Sequence, residues 1–232
     1  MGKYEHIREE ALDANLMLPK LNLVLFTFGN VSAVDRDFGV FAIKPSGVPY
    51  EDLDVNSMVI VDFEGKTVEG KLRPSSDTKT HAVLYKNWTD IGGIAHTHST
   101  YATAWAQAQK AIPIYGTTHA DHLTVDVPCA PPMDDARIAG NYEHETGFQI
   151  LDYFKSLGLS HREVEMILVG NHAPFTWGKD AKKAVYNSAV LETLAQMAFF
   201  TEGINPSAKR MKDTLIKKHF DRKHGKGAYY GQ

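Results

Sequence analysis

His96 and His98 stand two residues apart in Ile91-Gly92-Gly93-Ile94-Ala95-His96-Thr97-His98-Ser99, an apolar run leading out of a Gly-Gly turn. The run reads as a strand, where residues i and i+2 share a face, so both imidazoles project one way and Thr97 the other. Paired imidazoles repel once protonated, and neutral imidazole is the commonest nitrogen ligand of a divalent metal. Two ordinary histidines at a strand end would give the same pattern. A third histidine, His172 in Gly170-Asn171-His172-Ala173-Pro174, follows the apolar residues 166–169 and so sits at the mouth of a second buried strand. Strand ends meeting at one sheet edge can supply three imidazoles to one ion and leave a coordination position open, as catalytic zinc sites do. Asp77, in Pro74-Ser75-Ser76-Asp77, offers a carboxylate as a fourth ligand.

Three loops of small residues suit an anion: Gly29-Asn30, Ser46-Gly47 and Ser75-Ser76. Ser75-Ser76-Asp77-Thr78 stands where a helix begins, so hydroxyls and free backbone N–H groups gather at the positive end of a helix dipole. Glycine at 29 and 47 would let backbone amides approach a phosphate closely. Each loop taken singly also reads as a turn or a helix cap. Lys44, before Pro45-Ser46-Gly47, adds a cation if it faces inward.

The elements that must position these residues follow from periodicity. Residues 4–18 carry apolar side chains at Ile7, Ala11, Leu12, Ala14, Leu16 and Leu18, which predicts a helix stopped by Pro19. Short strands are predicted over 40–43, 58–62 and 66–68, the last two forming a hairpin across Glu64-Gly65. A short helix over 78–86 leads to the two-histidine strand, and 101–109 is helical. A longer helix over 145–157 closes at Gly158. Strands over 166–169 and 175–177 flank the His172 turn. Helices over 180–200, capped by Asp180, and 207–220 complete the chain. Hairpin-like spacing mixed with long helices predicts one α/β domain over 1–232, with antiparallel pairs in a sheet covered by helices. No G-x-G-x-x-G follows a strand and no G-x-x-x-x-G-K-[ST] occurs, so neither common nucleotide cradle is supported.

Composition agrees with that frame. The chain has 232 residues, 43% hydrophobic and 23% charged, enough to bury a sizeable core. With 25 basic and 28 acidic residues the net charge is −3, which gives no reason to expect nucleic acid or a membrane as partner. The single cysteine, Cys129, excludes an internal disulfide and fits a reducing cytoplasm. No leader-like segment or membrane-length apolar run is visible. Residues 205–232 carry eight basic and two acidic side chains, a solvated helix face or a local positive field for a phosphorylated substrate.

Taken together, Gly29-Asn30-Val31-Ser32, Lys44-Pro45-Ser46-Gly47, Pro74-Ser75-Ser76-Asp77, His96-Thr97-His98, His172-Ala173-Pro174-Phe175 and Ala228-Tyr229-Tyr230-Gly231-Gln232 resemble the class II aldolase/epimerase family, closest to its pentulose-phosphate 4-epimerases. The segments occur in the family's order from the first helix to the last residue. The resemblance implies a layered α/β fold with a central, mostly antiparallel sheet. It implies one zinc ion per chain, replaceable by manganese, on His96, His98 and His172, with Asp77 a further ligand. Substrate and phosphate contacts then fall on Gly29, Asn30, Ser46, Gly47, Ser75 and Ser76. Asp121 and Tyr230 match the acid/base pair and His219 a supporting residue, while Thr117 and Glu143 could line the same place. It also implies a homotetramer with sites between subunits. Family aldolases usually carry Glu where Asp77 stands, which leans toward the epimerases.

The implied chemistry makes sense of these residue types. In a 2-ketopentose 5-phosphate the C4 hydrogen is not next to the carbonyl, so inversion at C4 can proceed by breaking and remaking the C3–C4 bond. A divalent ion would stabilise the enediolate fragment as a Lewis acid. The C4 oxygen must lose and regain a proton from opposite sides, which asks for two acid/base groups. Taken alone, Asp121 is most simply a solvated loop residue, and Tyr230 lies near a chain end that would ordinarily fray. His119 and His122 beside Asp121 are left out of the ligand set. Two competing expectations stand: an aldolase that releases its products, and a non-catalytic interaction module of the kind found in adducin head domains.

Overall fold

β1 (Asn30–Asp35) and β5 (Gly93–His96) lie side by side at the centre of the sheet, antiparallel, with Asn30 opposite His96. The computed structural model describes residues 2–229. On one side of this pair come β2 (Val40–Ile43), β3 (Val59–Asp62) and β4 (Thr67–Glu69), and on the other β8 (Pro174–Gly178), β7 (Met166–Val169) and β6 (Cys129–Ala130). The eight strands run in the order β4-β3-β2-β1-β5-β8-β7-β6. All neighbours pair antiparallel except β6 and β7, so the expected mostly antiparallel sheet is present.

Alternation along the strands feeds two cores. In β2, Val40 and Ala42 join the cluster packed beneath α1 (Glu5–Lys20), while Phe41 and Ile43 join the cluster on the other face. That second cluster includes residues of α2 (Thr78–Asn87), α3 (Thr100–Gln107) and α6 (Tyr142–Leu157). The long α7 (Ala181–Ile204) serves both: Ala181, Ala184 and Val185 pack with α1, Leu191, Ala195 and Ala198 with the larger core. Two short helices, α4 (Thr117–Ala120) and α5 (Asp135–Ala139), precede α6, and α8 (Asp213–His224) ends the series.

Several expectations are met closely. β2 and β7 have the predicted bounds, α6 ends at Gly158, and the Asp180 carboxylate accepts the Lys183 N–H to cap α7. Others need correction. α1 does not stop before Pro19 but carries it in its last turn and ends at Lys20. The last helix starts at Asp213, six residues later than predicted, because residues 205–212 form a connection in which Met211 N–H bonds the Ile114 carbonyl. β5 ends at His96, so His98 lies beyond the strand, in the connection to α3.

β1 itself was not predicted. Asn15, buried on α1, clasps it: Val31 N–H donates to Asn15 Oδ1 at 2.9 Å, and Asn15 Nδ2 donates to the Val31 carbonyl at 2.8 Å. This clasp fixes the Gly29-Asn30 loop against the end of β5. No helix among the described residues is long and apolar enough to cross a membrane.

Candidate active site

His96 closes β5 and is almost wholly buried, its ring stacked on Phe175 at 4.1 Å between centroids. Its Nδ1 lies 2.9 Å from the Pro174 carbonyl, which can only accept, so the proton sits on Nδ1 and the Nε2 lone pair is free. A carbonyl behind the ring is the usual way a metal-binding histidine is oriented. His98 follows in the connection to α3, and His172 comes from the β7–β8 turn, which Asn171 enters with φ of +59°. The three rings stand 4.9, 4.9 and 5.5 Å apart, and their ligand atoms all lie within 4.8 Å of one another.

Charge state suits the same purpose. Burial, and then neighbouring imidazoles, push His96 and His172 down to about 3, and burial lowers His98. All three are therefore neutral near pH 7, with lone pairs to give. Asp77 stands at the N-terminal end of α2 with Oδ2 4.0 Å from His96 Nε2. Asn30 Nδ2 donates to that oxygen at 2.7 Å and to Ser75 Oγ at 3.0 Å. Three neutral imidazoles whose ligand atoms converge fit a divalent ion, with the Asp77 carboxylate beside them but outside that converging group.

The histidines form one wall of a cavity of about 500 Å³. Gly29, Asn30, Ser46, Gly47, Ser75, Ser76, Asp77 and Glu143 line it, so every predicted metal and phosphate residue meets there. Gly29 has φ of +74°, and a Cβ on it would come within 2.8 Å of the His96 carbonyl oxygen and of Val24. Only glycine allows this loop to pass so close to the strand end. Lys44 does face inward: it is 1% exposed and its Nζ donates to the Val48 carbonyl at 2.7 Å. Burial lowers its ammonium to about 8, so it remains a cation at neutral pH. Tyr142, beside His172, also lines the cavity and had no sequence signal beyond its place next to Glu143.

Asp121, Thr117 and His219 gather elsewhere. Asp121 caps α4 and does not line the cavity; its carboxylate accepts Arg222 Nη2 at 2.8 Å and lies 3.0 Å from His219 Nδ1. Thr117 begins α4, and its carbonyl accepts the Asp121 N–H. Burial alone would raise the Asp121 carboxyl, but the hydrogen bonds and charges of Arg222 and His219 outweigh it and hold it below the usual range. The expectation of a solvated loop aspartate is thereby corrected. Tyr230 lies outside the described residues; the chain up to Tyr229 turns back on α8, Tyr229 N–H donating to the Arg222 carbonyl at 2.9 Å. His119 and His122 stand apart from the three-histidine group, which is the set of metal-ligand type found among the described residues.

The family model of the class II aldolase and adducin N-terminal domain matches residues 9–199. The L-ribulose-5-phosphate 4-epimerase UlaF of Salmonella paratyphi B is 50% identical over 228 residues, 98% of this chain and 99% of its own. The protein of the same name from Salmonella typhi is equally similar over the same span. Among solved structures, an L-fuculose 1-phosphate aldolase matches with a TM-score of 0.76 over 94% of this chain and 95% of its own, at 22% identity, which bears on the fold alone. The chain belongs to the class II aldolase and adducin N-terminal domain family, and its close relatives there are epimerases.

Proposed function

We propose that this protein is a metal-dependent L-ribulose-5-phosphate 4-epimerase that forms D-xylulose 5-phosphate by breaking and remaking the C3–C4 bond. The relatives at 50% identity carry the name of that activity. The observation that carries the reading is the meeting of His96, His98, His172 and Asp77 with the Ser46-Gly47 and Ser75-Ser76 loops in one cavity of about 500 Å³, the size of a small-ligand site. Zinc, with manganese an acceptable substitute, would be held by the three histidines and Asp77 and, when bound, supplies Lewis acidity to the C2 and C3 oxygens.

The rest belongs to the chain's own groups. The Ser46, Ser75 and Ser76 hydroxyls and the backbone near Gly29 and Gly47 would meet the phosphate, while the Lys44 ammonium, bonded to the carbonyls of Thr27, Pro45 and Val48, adds its charge to the same cavity. Asn30 reaches both Ser75 and Asp77, so it ties the phosphate end to the metal end. A phosphate gripped in this way keeps the two-carbon aldehyde in the cavity while it turns its other face. Asp121 and Tyr230 exchange the C4 hydroxyl proton from opposite sides.

Because Asp121 lies outside its own chain's cavity, this reading needs a second copy to bring its α4–α8 corner to the cavity mouth. Large apolar side chains exposed around Leu25, Phe26 and Phe28, and around Phe199, Phe200 and Ile204, support such an assembly, which we take to be a homotetramer. The free, buried Cys129 is compatible with the cytoplasm.

NMR of L-ribulose 5-phosphate incubated with the purified protein separates the alternatives. Accumulation of D-xylulose 5-phosphate without free dihydroxyacetone or glycolaldehyde phosphate is the expected result. Release of those two fragments as the main products would make the chain an aldolase, and an unchanged substrate would favour a binding module.

A further inference from the structure

His98 is held differently from the other two histidines of the site. The Pro174 carbonyl lies behind His96, and the Tyr142 hydroxyl lies 3.5 Å from His172 Nδ1. The His98 ring is exposed on the cavity wall, with Phe28, His96 and His172 as ring neighbours and no hydrogen bond among the described residues. A metal-binding imidazole is usually oriented by a partner on its second nitrogen. Without one, the place of His98 depends on the backbone that carries it. That backbone is short: residues 97–99 bridge β5 and α3, so the two element ends define it. β5 is secured on both sides, His96 standing opposite Asn30 of β1 and Phe175 of β8.

The other end depends on a side chain from far along the sequence. Ser99 precedes α3, and a serine there ordinarily accepts from the second or third N–H of its helix. Ser99 makes no such bond, and its hydroxyl instead accepts from Thr97 Oγ1 at 3.4 Å. Both N–H groups go to one carboxylate of α7. Tyr101 N–H donates to Glu192 Oε1 and Ala102 N–H to Glu192 Oε2, each at 2.9 Å. Negative charge is favoured at this end of a helix, and two bonds to one rigid group fix its direction as well as its distance. Glu192 shares a face of α7 with Ala195 and Phe199, at spacings of three and four. The same face meets α3 again: Trp105 Nε1 donates to the Ala195 carbonyl at 3.0 Å, and the Tyr101 and Phe199 rings lie 5.8 Å apart.

We infer that Glu192 is a positioning residue of the site: it pins the start of α3 through the Tyr101 and Ala102 N–H groups and so sets where the 97–99 connection presents His98. The inference rests on His98 being a metal ligand.

Three full-length variants test it. Glu192→Ala removes both acceptors, and Glu192→Gln keeps the length and one of them. Glu10→Ala is the control for a lost helix cap elsewhere, since Glu10 Oε1 accepts the Ala181 N–H at the start of α7 at 2.9 Å. In zinc competition with a chromophoric chelator, Glu192→Ala should bind about 10- to 100-fold more weakly, the usual loss when a group behind a ligand goes. Glu192→Gln should lie between that variant and wild type, and Glu10→Ala within a few-fold of wild type. In metal-free protein, Glu192→Ala should displace the backbone amide NMR signals of residues 97–102 and leave those of 171–173 in place. Wild-type zinc affinity in Glu192→Ala, an equal loss in Glu10→Ala, or unmoved signals at 97–99 would overturn the inference. If Glu192→Ala does not fold, Glu192→Gln decides by the same readings against wild type. Wild-type protein that binds no zinc would count against the metal site itself, and the NMR comparison would then decide the role of Glu192 alone.

Discussion

Asp121 is held by Arg222 through two nitrogens and by His219, and these contacts favour its ionised form. An ionised carboxylate suits the role proposed for Asp121, a base that takes a hydroxyl proton, with Tyr230 proposed as the complementary acid. Asp121→Asn and Tyr230→Phe should each lower epimerisation by about a hundred- to ten-thousand-fold, the usual weight of an acid/base group. Each should still bind zinc and make the C–C bond slowly from dihydroxyacetone and glycolaldehyde phosphate, with product skewed toward opposite C4 epimers. A Tyr230→Phe protein within a few-fold of wild type would show that this tyrosine only packs. At this scale the sequence is unequal in what it discloses. His96, His98 and His172 could be grouped from their places at or just beyond predicted strands, and the structure brings their ligand atoms within 4.8 Å of one another. The environment of Asp121 does not, since Arg222 lies 101 residues away and its proximity depends on α8 folding back.

Among the elements, β1 was illegible for a physical reason. Asn30-Val31-Ser32 looks like a polar loop, yet Asn30 and Ser32 are buried, with Asp77 and Ser75 bonded to the Asn30 amide nitrogen and His81 and Tyr85 to the Ser32 hydroxyl. Partners supplied by other elements cannot be seen in a local pattern. The helix α2, by contrast, was legible together with its cavity-facing start. Pro19 misled by a single residue or so: α1 carries it in the last turn, where it lacks an N–H to give to the carbonyl one turn back, and the helix ends at the next residue, Lys20. The Gly29 loop gives an element-scale prediction. Gly29→Ala forces a left-handed backbone on alanine, about 1–2 kcal/mol, and drives a methyl into the His96 carbonyl and Val24. Denaturant unfolding should show a loss of at least that size, with a raised KM for the phosphorylated sugar. An unchanged midpoint and KM would mean that the loop is not confined as described.

At the scale of the molecule, burial of imidazoles ties stability to acidity. His81, His96 and His172 are pushed to about 3, and His119 and His122 to about 4, chiefly by burial. An unfolded chain protonates its histidines near 6.5, so below that pH it binds more protons than the folded chain. These groups stabilise the metal-free fold fully above about pH 6.5, and that contribution is lost as pH falls toward the folded values. The thermal midpoint of chelator-treated protein should therefore fall steadily between about pH 7 and pH 5; a flat profile would contradict the burial of these rings. Most of the sheet was legible because strand and helix periods differ, whereas β1 and the two-residue β6 were not. The account as a whole depends on the three-histidine centre acting on a pentulose phosphate. The most direct measurement is epimerisation of L-ribulose 5-phosphate by the full chain before metal removal, after it, and after zinc is restored, with His98→Asn beside wild type. Activity that vanishes with the metal, returns with about one ion per chain, and stays absent in His98→Asn is the predicted result. Full activity in metal-free protein, or in His98→Asn, would contradict the account.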